Sequence, residues 1–153
     1  MTDHNEPHDS SLAGRKASMA TVARATVAEL AALDRMAGDG VTILRRPEIG
    51  LVMVRGRIGG DGRPFNMGEA TVTRAAVSLP GGEVGFGHVL GRDKEKARLA
   101  ALADALWQSP ATRDAVETLL QPVRERLAAE ALRKREQAAA TRVDFFTMVR
   151  GDN

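Results

Sequence analysis

The sequence has no cysteine, no tyrosine and a single tryptophan. The first absence excludes disulfides, thiolate metal sites, thiolate-bound iron–sulfur clusters and cysteine nucleophiles in one step. It is compatible with a reducing cytoplasm. Aromatics make up only 3% of the chain, so platforms on which single-stranded nucleic acid could stack are scarce. No uninterrupted apolar run approaches the ~20 residues that a membrane span needs. The polar start, MTDHNEPHDSSLAG, lacks the apolar stretch of a secretory signal. A cytoplasmic protein with no membrane partner is expected. Excess charge is also scarce: 22 Lys and Arg against 20 Asp and Glu leave a net charge of +2. The isoelectric point near 9.5 reflects the lack of groups titrating between His and Lys, so it argues only weakly for a polyanionic partner. A nucleic-acid-binding module rests on that value alone.

What is present is globular material. At 153 residues, 43% of them apolar, the chain can close one domain around a core of Leu, Val and Ala. Residues 1–14 are polar and are expected to form a disordered leader. They hold His4 and His8, a pair without a third metal ligand. Residues 15–153 then form the single domain. From 18 to 37 the pattern is helical, with Ser18 as cap and Met19, Val22, Leu30 and Leu33 on one stripe. Gly38-Asp39-Gly40 ends that helix.

A short strand over 41–44 follows, and Pro47 marks its end. The central stretch is 50–79, GLVMVRGRIGGDGRPFNMGEATVTRAAVSL. Its first strand puts Val52, Val54 and Ile58 on a core face, with Leu51, Met53, Arg55 and Arg57 opposite. Its second puts Glu69, Thr71, Thr73, Ala75, Val77 and Leu79 on one face and Arg74 on the other. Pro80-Gly81-Gly82 turns into a strand over 83–90 with Val84, Phe86, His88 and Leu90 on one face. Successive strands with turn-length connections favour an antiparallel meander. Asp93 caps a helix with the stripe Leu99, Leu102, Ala103 and Leu106. Ser109-Pro110 starts another, which is expected to stop at Pro122. A charged, Ala-rich segment over 123–140 has only a thin seam of Val123, Leu127 and Ala131. The ending, TRVDFFTMVRGDN, carries large apolar groups in both alternating sets. It reads as a C-terminal strand or docking segment, with Phe145, Phe146, Met148 and Arg150 as interface candidates. The fold class is α+β: an antiparallel meander packed against an N-terminal helix and a C-terminal helical segment.

No motif declares a reaction. Gly59-Gly60-Asp61-Gly62 is followed by a strand where a phosphate-binding loop needs a helix. It reads as a turn between strands, with a backbone anion site as the alternative. Arg55, Arg57, Arg63 and Arg74 make the region basic. Arginine forks suit phosphate, phosphonate or carboxylate, but cross-strand pairing, such as Glu69 with Arg55 or Arg57, would occupy them equally well. His88 is the one histidine inside the expected fold, and a lone histidine on an apolar face is more often structural. Asp93, Asp104 and Asp144 stand isolated in the sequence.

Three segments together resemble a known family: RPEIGLVMVRGRIGGDGRPFNMGEATVTRA, HVLGRDKEKARLAALADAL and RVDFFTMVRGDN. Their most specific parts are 68–74, Gly91-Arg92-Asp93-Lys94 and the ending from Arg142. The chain resembles the PhnG subunit of the bacterial carbon–phosphorus lyase system, with Asp61 standing where a small residue is expected. The resemblance implies a hetero-oligomeric core complex with PhnH, PhnI and PhnJ. That complex converts ATP and an alkylphosphonate to α-D-ribose 1-alkylphosphonate 5-triphosphate and adenine. Iron–sulfur and S-adenosylmethionine chemistry would belong to a partner, with no cofactor and no metal on this chain. It implies a supporting subunit that is not catalytic alone, and it assigns no catalytic residue. Arg55, Arg57, Glu69, Thr71, Thr73, Arg74 and Arg92 are the candidates for binding a ligand or partner. The alternative is that the arginines reach a phosphate or phosphonate at a subunit boundary.

Overall fold

The structure, a computed structural model, describes residues 6–59 and 61–140, with side chains from residue 11 onward. Helices α1 (Glu6–Val22), α2 (Val27–Leu30) and α3 (Ala32–Ala37) precede strands β1 (Thr42–Gly56), β2 (Phe65–Ser78) and β3 (Val84–Leu90). Helices α4 (Lys94–Gln108) and α5 (Pro110–Ala140) complete the domain. The strands form one antiparallel sheet in the order β1-β2-β3. The α+β meander expected from the pattern is the observed architecture.

Helix α4 is the centre of the molecule. Asp93 caps it by accepting from the Lys96 N–H at 2.9 Å. Its Leu99, Leu102 and Leu106 share the core with Val22, Leu30, Leu33, Val116, Leu120 and Val123 from the other helices. Its Ala97, Ala101 and Ala105, four residues apart, lie under Gly85 and Gly87 of β3. Small residues on both sides let helix and sheet meet backbone to backbone. An apolar stripe on one side and a small-residue stripe on the other leave α4 buried almost all round.

The free edge of β3 is closed by α4. The Asp104 carboxylate accepts from the Phe86 N–H at 2.9 Å, and Gln108 donates to the Val84 carbonyl at 2.7 Å. Asp104, isolated in the sequence, also takes a two-pronged bond from Arg15 of α1. A second polar knot ties three helices together. Glu117 of α5 accepts from Ser18 of α1, from the Trp107 indole N–H of α4 at 2.5 Å and from Arg124 at 2.6 Å. Burial works to raise the Glu117 pKa, but the bonds from Ser18, Trp107 and Arg124 outweigh it, and the group sits below its ordinary value. At the far side Arg126 binds Glu29 and Glu130; the Arg126 bond, with help from the Thr26 backbone, holds Glu29 down to about 2.

Several boundaries differ from the pattern reading. Helix α1 begins at Glu6, so the expected leader boundary at Gly14 falls inside it, and Ser18 is a buried mid-helix residue rather than a cap. The cap in this region is Thr26, which forms a reciprocal capping box with Glu29. The expected strands over 41–44 and 50–58 are one strand, β1. Pro47 is tolerated because β1 is an edge strand and the register shifts there. Helix α5 runs through Pro122, because Val116, Leu120, Val123 and Leu127 carry one buried stripe past it. That packing outweighs the loss of a single backbone bond. The expected C-terminal strand lies outside the described residues.

Candidate functional site

Two surfaces stand out, and both follow from which parts of the sheet α4 does not cover. The first is a ribbon. β3 pairs with β2 only from Val72 onward, where Val72 faces Leu90. Beyond that point residues 51–56 and 65–71 continue as a two-stranded extension, without a third strand among the described residues. The Val52 and Val54 face, expected to be core, is 43% and 39% exposed. Leu51 on the other face is 63% exposed, and Met67, whose side chain lies against Gly56 on the valine face, is 64% exposed. Ile58 and Phe65 are exposed at the tip. The apolar alternation is present, but nothing among the described residues covers it.

The second surface is the open face of the sheet, opposite α4. Val84, Phe86, His88 and Leu90 do share a face, but it is this one; the core side of β3 is Gly85, Gly87 and Val89. Arg74 stands opposite His88, and Ala76 opposite Phe86. On the other side Glu48 stands opposite Arg74, and Arg45 opposite Ala76. Arg45 and Arg74 both donate to the same Glu48 oxygen, at 2.6 and 2.7 Å. The Arg74 bond, assisted by Arg45, lowers the Glu48 pKa. A shallow depression of about 210 Å³ lies among Arg45, Arg74, Ala75, Ala76, Phe86 and His88.

The bulge in β1 builds this cluster. Arg45 and Glu48 are three apart, which in a regular strand would put them on opposite faces. Their partners, Ala76 and Arg74, are two apart. The extra residue around Arg46-Pro47 therefore brings both side chains onto the open face. Sequence reading missed Arg45 and Glu48 for this reason: alternation cannot anticipate a bulge, and Pro47 was the only signal that one was present.

The sequence candidates do not form one site. Arg55 pairs with Asn66 in the ribbon, and Arg57 follows the end of β1. Asn66 and Arg74 are eight residues apart on one strand, about 26 Å at the usual rise. Arg55 and Arg74 cannot grip the same small anion over that span. Glu69 faces Met53 rather than either arginine. Among the described residues Arg55, Arg57, Arg63 and Arg92 make no ion pair. Thr73 is fully buried on the α4 side and donates to the Gly91 carbonyl at 2.7 Å. It pins the turn after β3, where Thr71 also accepts from the Gly91 N–H at 2.9 Å and Arg92 is exposed. Arg74 lies on the other face from these threonines. Phe145, Phe146, Met148 and Arg150 lie outside the described residues. Among the described residues no group of three or more His, Cys, Asp and Glu could hold a metal ion. No described helix is long and apolar enough to cross a membrane.

A model of the family described as phosphonate metabolism protein PhnG matches residues 13–151. The alpha-D-ribose 1-methylphosphonate 5-triphosphate synthase subunit PhnG of Rhizobium meliloti (strain 1021) is 56% identical over 147 residues, covering 95% of this chain and 94% of that relative. A match across nearly the whole of both chains takes in the helices, the sheet, the ribbon and the bulge alike, and the resemblance carried by the three segments is thereby borne out: the chain belongs to the PhnG family.

Proposed function

We propose that this chain is a supporting subunit of the carbon–phosphorus lyase core complex, where with PhnH, PhnI and PhnJ it serves the conversion of ATP and an alkylphosphonate to α-D-ribose 1-alkylphosphonate 5-triphosphate and adenine. The observation that carries the reading is the ribbon: two paired strand segments with exposed Leu51, Val52, Met53, Val54 and Met67 and no cover among the described residues. A contiguous apolar surface of that kind marks a protein–protein contact. The name of the Rhizobium meliloti relative, a subunit, supports it. Helix α5 adds a second surface. Leu127 is its last buried residue, and it continues to Ala140 as an exposed extension about 20 Å long at the usual helical rise. The tail beyond it, with Phe145, Phe146 and Met148, extends the same docking role.

The chemistry belongs to the assembled complex. On this reading the chain holds partners in register and supplies neither nucleophile nor metal. The test is co-purification of the tagged chain from a phosphate-starved host, with mass spectrometry of the chains that accompany it. Deleting residues 142–153 should abolish recovery of the other subunits while the remaining chain stays folded. Recovery of the same set of subunits by the truncated chain would overturn the docking role of the tail.

A further inference from the structure

We propose that the depression on the open sheet face is a binding site for a tetrahedral oxyanion, a free phosphate or the phosphoryl group of a nucleotide, gripped by Arg45, Arg74 and His88. The argument begins with the bulge. A regular strand would leave Arg45 on the far side of the sheet from Glu48. The register shift between Arg45 and Glu48 instead turns two guanidiniums toward one hollow, floored by Ala75 and Ala76. Bulges re-aim side chains in this way beside binding sites.

The cluster is also unbalanced. Two arginines share a single carboxylate oxygen, and no other acid pairs with either of them among the described residues. One positive charge is left over at the hollow, and His88 adds an N–H donor directly across from Arg74. An incoming oxyanion with several acceptor oxygens can take the arginine forks in place of Glu48. Glu48 then acts as the counterion that an oxyanion displaces. Phe86, more than half exposed at the rim, provides an apolar surface on which the rest of a phosphate-bearing molecule can lie. The ribbon arginines are unsuited to the same task, being some 26 Å away along β2.

The proposal is independent of assembly and is tested on the full chain by itself. Inorganic phosphate and, separately, AMP are titrated at constant ionic strength. The Nε–H signals of Arg45 and Arg74 and the ring signals of His88 are followed by nuclear magnetic resonance. Saturable shifts confined to those three groups are expected. Arg74→Gln should weaken binding at least tenfold, and Glu48→Gln, which removes the competing carboxylate, should strengthen it several-fold. Tighter binding of AMP than of phosphate assigns the site to a nucleotide; equal binding assigns it to the phosphoryl group alone. Absence of saturation, equal shifts at Arg55, Arg57 and Arg63, or unchanged binding in Arg74→Gln would overturn the proposal. Arg74 and Glu48 are both exposed, so the variants keep the fold.

Discussion

Replacing Leu51 and Met53 together by lysine should leave the isolated chain folded and strip it of its partner subunits. Both side chains point to the face of the ribbon shared with Thr71 and Glu69, and both are more than half exposed. Surface substitutions of this kind change stability by about 0.5 kcal/mol or less. A lysine at position 53 even faces Glu69 across the ribbon, a favourable cross-strand pair. At an interface the same changes remove two apolar anchors and introduce two charges that must be desolvated. Loss of a buried Leu or Met contact is worth about 1.5–3 kcal/mol each. Two of them weaken association on the order of a hundredfold to ten-thousandfold. The checks are far-UV circular dichroism and urea unfolding for the free chain, and co-purification for the complex. Normal recovery of all partners would show that this face of the ribbon docks nothing.

The second large effect is on folding. Gly87→Val should cost 3 kcal/mol or more, or prevent folding altogether. A Cβ at Gly87 would lie 2.1 Å from the Ala97 carbonyl oxygen and 2.7 Å from the Ala101 nitrogen. Both are backbone atoms of α4, the most buried element, so no side chain can swing aside. Overpacking in a core costs about 1–3 kcal/mol when neighbours adjust and more when they cannot. Gly50→Ala is the matched control: it lies in β1 with nothing within 4 Å of the added carbon. It should be neutral or slightly stabilising, since Gly in a strand costs roughly 0.5–1 kcal/mol against Ala. Equal urea midpoints for the two variants would refute the close approach of β3 to α4.

The local chemistry of the chain was legible in its residues. Asp93 as a cap, the leucine stripe of α4 and the alternation of β2 depend only on neighbours in sequence, and the structure shows each of them. What escaped depends on contacts made at a distance. Pro122 looks like a stop until the buried stripe of α5 is seen to run on both sides of it. Ser18 looks like a cap until Glu117, 99 residues away, takes its hydroxyl. The Gly85-x-Gly87 spacing was an available signal for close backbone approach that alternation alone does not interpret. Most telling is the ribbon: period-two apolar residues show that a strand wants cover on a face, but not which molecule supplies it. The pattern assigns Val52 and Val54 to this chain's own core, whereas both are exposed among the described residues, and on the proposed reading a partner supplies the cover.

Hydrogen exchange of the chain, alone and within the assembled complex, tests this account most directly. Among the described residues the outer edge of β1 has no pairing strand and the ribbon has no third strand, so in the free chain amides over 49–56 and 65–70 should exchange quickly. Assembly should slow them at least tenfold while α4, already buried, hardly changes. A ribbon that exchanges equally fast in both states, with new protection only elsewhere, would contradict the claim that these strands are the docking surface.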